Sequence, residues 1–197
     1  MDLEKNRILE KLAGVSMEKC AAKLTRVSAG KWSVQGISVA RRSMGETVKS
    51  YAAETRAGTA VYFAVAGEHA FTSMIIFRPE DVEIISRGFL GFSYTKLPGL
   101  SQAQELLLSE LGNIILNAFI SSLSNALKRS FLPSAPKCLN GETRFLLEAL
   151  WATIGEERSH NVVTITLDLQ CDSAVTRSEV VAVLPESLEQ ALAAALR

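Results

Sequence analysis

The stretch from Ser101 to Pro136, SQAQELLLSELGNIILNAFISSLSNALKRSFLPSAP, constrains the fold more than any other part of the chain. Leu107, Leu108, Leu111, Ile114, Ile115, Ala118, Phe119, Ser122, Leu123 and Ala126 recur at i, i+3, i+4 and i+7. That period predicts one long amphipathic helix with a Pro-bounded exit. Opposite the stripe stand Glu110, Asn113, Asn117, Ser121 and Ser124. Residues three apart are neighbours on a helix surface, so Glu110 and Asn113 leave it side by side, a carboxylate next to a neutral carboxamide. A solvated helix face is the plain alternative for such a pair. Asparagine is a mediocre helix former, so each mid-helix Asn asks for a reason. Asn117 and Asn125 have none in the sequence.

The remaining segments supply a surface for that helix. Residues 2–27 read as a helix with apolar Leu3, Ile8, Leu12, Val15, Ala22 and Leu24. Residues 32–40 and 48–55 read as strands. Residues 59–67 and 70–77, joined by Glu68-His69, read as a β-hairpin, with His69 a solvated turn residue. Pro79, Glu80 and Asp81 open a helix that runs to about Phe89, in keeping with Pro at a helix start and acids in its first turn. Residues 91–100, with Gly91, Pro98 and Gly99, read as a linker. A short strand is expected near 135–139 and a second amphipathic helix at 142–155. A second hairpin follows from 162–170 and 178–185, and then a closing helix.

The two halves resemble each other. FRPEDVEII at 77–85 matches VLPESLEQA at 183–191, and ILEKLAGV at 8–15 lies against LLLSELGN at 106–113, with Gly14 matching Gly112. The order helix, strand, hairpin, helix is written twice. The expected product is one α/β domain of the α+β type spanning 1–197. It would be built of two pseudo-repeats, about 1–92 and 100–197, with 91–100 as the linker. Its long helices would pack on a central, mostly antiparallel sheet with pseudo-twofold symmetry. In this alignment Glu110 corresponds to Leu12 and Asn113 to Val15. The polar pair exists in the second half only, which favours a function over a folding role.

Composition narrows the function classes. Lys plus Arg and Asp plus Glu each total 21, so no basic excess draws nucleic acid or anionic lipid. No apolar run approaches the length of a bilayer span, and the charged MDLEKNRILEKL is no secretory leader. A cytoplasmic location with no membrane partner is the expectation. Cys20, Cys138 and Cys171 form no CxxC and have only His69 and His160 beside them, so no zinc pattern is present. Reduced, buried thiols are the expected state. Trp32 and Trp151 read as packing residues. Ser121, Ser122 and Ser124 have no histidine near in sequence to activate them.

Glu110, Asn113 and Pro136, with twenty-two residues between the last two, carry a resemblance to a known family. These are the CheC, CheX and FliY phosphatases of bacterial and archaeal chemotaxis. Their motif is Asp or Ser, three residues, Glu, two residues, Asn, twenty-two residues, Pro. The segment ELGNIILNAFISSLSNAL resembles the family's second motif, and the likeness covers essentially the whole chain. Two positions depart from the pattern. Leu106 stands where the motif has Asp or Ser, and Leu12, Val15 and Ser38 occupy the equivalent first-half positions, which implies one site per chain.

The resemblance implies hydrolysis of the aspartyl phosphate of a CheY-like receiver. This chain would bind no cofactor, and Mg²⁺ would sit in the receiver. Asn113 would orient the water, Glu110 would pair with the receiver's lysine, and Gly112 and Pro136 would be structural. The implied partners are a CheY-like receiver and, as a further candidate, the deamidase CheD, with the chain a monomer or a CheX-like homodimer. The middle domain of the flagellar switch protein FliM resembles the same fold and is a binding module without the pair. A non-catalytic adaptor therefore stands as the alternative.

Overall fold

Alternation along the strands decides how this chain layers. In β2 (Ala57–Ala66) Val61, Phe63 and Val65 face one side of the sheet while Ala60 and Tyr62 face the other. In β3 (Phe71–Phe77) Ile75 and Phe77 oppose Met74 and Ile76. The same split recurs in β6 (His160–Cys171) and β7 (Ala174–Pro185), where Val163 opposes Val162 and Ala182 opposes Val181 and Val183. A sheet apolar on both faces must be covered on both.

One face carries the larger core, formed with α1 (Asp2–Val27), α3 (Pro79–Leu90), α4 (Gln102–Leu127) and α6 (Glu186–Ala195). The other carries a smaller core with α2 (Met44–Ala52) and α5 (Thr143–Ala152). The computed structural model describes residues 2–52, 57–91, 101–152, 154 and 160–195, with backbone alone at 2–5 and 52.

β1 (Trp32–Arg42), β6, β7, β3 and β2 lie in that order, and every pairing is antiparallel. The outer edge of β2 is shared by the two-residue β4 (Leu132–Pro133) and by β5 (Lys137–Glu142). Exchanging β1, β2 and β3 for β5, β6 and β7 reverses this order onto itself. That is the pseudo-twofold arrangement expected from the duplicated sequence. The α+β class and the antiparallel sheet agree with the sequence reading.

Several local expectations are corrected. Residues 48–55 were expected as a strand, whereas Met44–Ala52 is helical and 53–55 lie outside the described residues. The cause is a capping box: Ser43 N–H donates to Glu46 Oε2 at 2.9 Å, and Glu46 N–H donates to Ser43 Oγ at 3.2 Å. Met44, Thr47, Val48 and Tyr51 then follow helical spacing.

The buried face of α1 is Leu9, Ala13, Met17, Cys20 and Leu24, so Val15, 44% exposed, and the exposed Ala22 are not part of it. The strand expected at 135–139 lies slightly later, as β5. His69 is half-buried, with Nδ1 3.1 Å from Ser187 Oγ. The linker expected at 91–100 lies outside the described residues apart from Gly91.

Helix α4 opens with a capping box between Ser101 and Gln104 and closes at Lys128 in the left-handed region, φ 55°. It is long and apolar enough, by length and composition, to cross a membrane, contrary to the expectation that no run qualifies. Its buried arc is wider than the sequence stripe and includes Leu116 and Ile120, because α1, α3 and α6 flank it while β2 and β3 lie beneath. Gly112 marks the close approach to the sheet. A Cβ there would lie 2.8 Å from Val61 Cβ and 3.1 Å from Ile75 Cγ2. Gly14, its partner in the sequence alignment, would meet nothing within 4 Å.

Gly112→Ala therefore sets a helix-propensity gain of about 1 kcal/mol against an overpacking cost of about 1–3 kcal/mol. A net destabilisation of up to about 2 kcal/mol is expected from the urea midpoint, partly relieved in combination with Val61→Ala. A midpoint at or above that of the wild type would contradict the tight seating.

Candidate functional site

With the inner side of α4 pressed on the sheet, its outward row is Leu106, Glu110, Asn113, Asn117 and Ser121. Leu106 is 68% exposed, Glu110 and Ser121 are exposed, and Asn113 and Asn117 are half-buried. Glu110 makes no ion pair among the described residues, so its carboxylate faces solvent. Asn113 is held differently: its Oδ1 accepts a hydrogen bond from Asn117 Nδ2 at 2.5 Å. The structure thus brings Glu110 and Asn113 together one turn apart on a rigid, buried rod. Leu106 begins the same row one turn earlier. Asn117, to which the sequence assigned no role, belongs to this group, and its spacing of four from Asn113 was the available signal.

The edge strand β5 lies alongside. Asn140 Nδ2 donates to Glu105 Oε1 at 3.1 Å, and Thr59 Oγ1 in turn donates to Asn140 Oδ1 at 2.8 Å. Two residues back along the strand, the Cys138 thiol meets the Ser109 side chain, one turn further along the helix. Four helix residues rise about 6 Å and two strand residues about 6.6 Å, so the two elements stay in step. Pro136 lies just before the start of this strand. After α4 the chain returns through β4 to β5, which runs beside the helix. Pro136 is half-buried, immediately before a strand paired only with β2, where a missing N–H costs no ladder bond.

The corresponding first-half positions hold no such group. Leu12 packs partly on the core, Val15 is exposed on α1, and Ser38 is exposed on β1. The serines near the end of α4 shape the helix terminus. Ser124 Oγ donates to the Arg129 carbonyl, and the Ser124 carbonyl accepts from the Lys128 N–H. Among the described residues no three His, Cys, Asp or Glu side chains gather as a metal site.

No family model matches the sequence, and no curated protein resembles it significantly. Solved structures resemble it in fold. FliY of Thermotoga maritima is 12% identical, with a TM-score of 0.72 over 98% of this chain and 95% of that one. The FliM middle domain of H. pylori is 12% identical, with a TM-score of 0.62 over 95% and 98%. The chemotaxis protein CheX of Desulfovibrio desulfuricans is 12% identical, with a TM-score of 0.53 over 88% and 99%. The fold is that of the CheC, CheX and FliY proteins, and FliM middle domains share it.

All three cysteines are free, Cys20 and Cys171 buried and Cys138 half-buried. Burial, partly offset by Lys23, pushes the Cys20 thiol up to about 12. Burial and then the neighbouring Asp172 push Cys171 up to about 11. Burial and the Glu105 carboxylate also raise Cys138, against a hydrogen bond from Ser109. Thiols held protonated are poor nucleophiles and poor metal ligands. In the native protein at pH 8, Cys138 is expected to react slowly with a disulfide reagent and Cys20 and Cys171 not at all. All three should react promptly in denaturant. Fast native labelling of Cys20 would contradict its placement.

Proposed function

We propose that this protein hydrolyses the aspartyl phosphate of a CheY-like receiver in chemotaxis signalling, using Glu110 and Asn113. The observation that carries this reading is an exposed carboxylate beside a half-buried carboxamide on a helix otherwise committed to the core, a pair absent from the duplicate helix α1. An acyl phosphate is already activated, and a receiver brings its own Mg²⁺ and lysine to neutralise charge. The remaining task is to hold a water in line with phosphorus. A carboxamide offers both donor and acceptor and carries no charge to repel the phosphoryl oxygens, so Asn113 orients the water. The water oxygen bonds to phosphorus as the phosphorus–oxygen bond to the aspartyl carboxylate breaks. The carboxylate leaves with the electron pair, and the water's protons stay with the phosphate. Glu110 pairs with the receiver lysine and docks the helix across the phosphorylation site. Gly112 and Pro136 hold the helix and the edge strand, and the chain carries one site.

The second reading is a non-catalytic adaptor of the chemotaxis or flagellar switch machinery, with CheD or a switch protein as partner. It is favoured by the match to FliM middle domains and by Leu106 in the motif's first position. The FliM of one structural neighbour was solved in complex with SpeE, so in that protein the fold assembles with another chain. Self-association in the manner of a CheX homodimer belongs to the same set of proposals, as does a cytoplasmic location.

Decay of a phosphorylated CheY-like receiver, with and without the protein, separates the two readings. Wild type is expected to accelerate the decay, and Asn113→Ala to reduce the acceleration at least about tenfold. Binding should persist in the variant, and its stability should stay within about 1 kcal/mol of wild type, the helix-propensity gain of alanine offsetting the lost bond from Asn117. No acceleration by wild type, with a partner still captured by Asn113→Ala, would transfer the assignment to the adaptor.

A further inference from the structure

We propose that Asn117 is a positioning residue for Asn113, fixing which way its carboxamide faces; this rests on the phosphatase reading above. The two side chains lie one turn apart on α4, both half-buried, with Asn117 Nδ2 donating to Asn113 Oδ1 at 2.5 Å. The packing of α4 supplies no need for a polar residue at this position, since the adjacent core contacts come from Leu116 and Ile120. Asparagine also holds a helix less well than alanine by about 0.7 kcal/mol. Among the described residues its side chain makes this one bond.

The bond bears directly on the work assigned to Asn113. The terminal torsion of an asparagine is broad, so a free carboxamide can present either its oxygen or its NH₂ group in a given direction. A water held for in-line attack needs one fixed arrangement, because exchanging donor and acceptor reverses which water atom is engaged. Donation from Asn117 turns Asn113 Oδ1 toward residue 117 and therefore turns the NH₂ group away from it. The oxygen keeps its second lone pair. While that bond holds, Asn113 presents its NH₂ group on the side away from residue 117, and accepting one bond polarises the amide so that its own N–H groups donate more strongly. Asn117 touches neither phosphate nor water in this scheme and acts through Asn113.

The test combines two readouts in wild type, Asn117→Ala and Asn117→Gln. The first is the side-chain ¹⁵N–¹H₂ signal pair of Asn113 in the free protein, identified by its loss in Asn113→Ala. It is expected to shift in Asn117→Ala and return toward its wild-type position in Asn117→Gln, whose amide still donates from i+4. The second is receiver dephosphorylation. The kcat of Asn117→Ala should fall about tenfold with KM for the phosphorylated receiver within about twofold, and Asn117→Gln should recover most of the loss.

An unmoved Asn113 signal in Asn117→Ala overturns the proposal. So does a moved signal with kcat unchanged, or a loss carried wholly by KM. If wild type itself fails to accelerate decay, the phosphatase reading falls and takes this proposal with it. That failure is distinct, because the amide signals still report whether the contact exists.

Discussion

The seating of α4 on β2 and β3 at Gly112 is the contact on which the rest of the arrangement depends. Without a side chain at that position the helix axis comes close enough for Val61 and Ile75 to lie against its backbone. Leu108, Leu111, Ile115, Leu116, Phe119 and Leu123 are then removed from water almost completely. Each such side chain contributes about 1.5–3 kcal/mol relative to exposure, so the inner face decides the orientation and the outer face contributes little. Residues on that outer row can change chemistry without unfolding the chain. A site placed there inherits the rigidity of the core while remaining energetically independent of it.

The edge of the sheet completes the setting. β5 pairs only with β2, and its other side is left to meet α4 through Asn140 with Glu105 and Cys138 with Ser109. Those contacts fix the strand against the helix in a defined register. Pro136 ends the connection where the strand begins, and its missing N–H is harmless at an unpaired edge.

Much of this was legible in the sequence, and the misses have physical causes. Both hairpins follow from period-two alternation of β-branched and aromatic residues, and α4 from a long apolar stripe of large side chains. The helix α2 was missed because its signal lies in the Ser43–Glu46 capping box and in Thr47, a buried polar residue that an apolar template does not count. The buried face of α1 is defined by Ala13, Met17 and Cys20, small or soft residues that mark an apolar period less strongly than the exposed Val15 does. The pairing of Gly14 with Gly112 reads as equivalence, yet only Gly112 meets the sheet. Asn117 carried the right spacing but no way to show its partner, since a hydrogen bond between two amides depends on rotamers that sequence does not specify.

The duplication supplies an internal comparison that a single domain lacks. Both halves place a 26-residue helix against the same face of one pseudo-twofold sheet, and both end a hairpin on a strand that leads through proline into a helix. At the aligned positions α1 carries the partly packed Leu12 and the exposed Val15, whereas α4 carries Glu110 and Asn113 and adds Asn117. Mid-helix asparagines oppose local propensity by about 0.5–0.7 kcal/mol each relative to alanine, and nothing in the core recovers that cost. Where one of two equivalent helices departs from local preference on its solvent face alone, the departure is best explained by something that arrives from solvent.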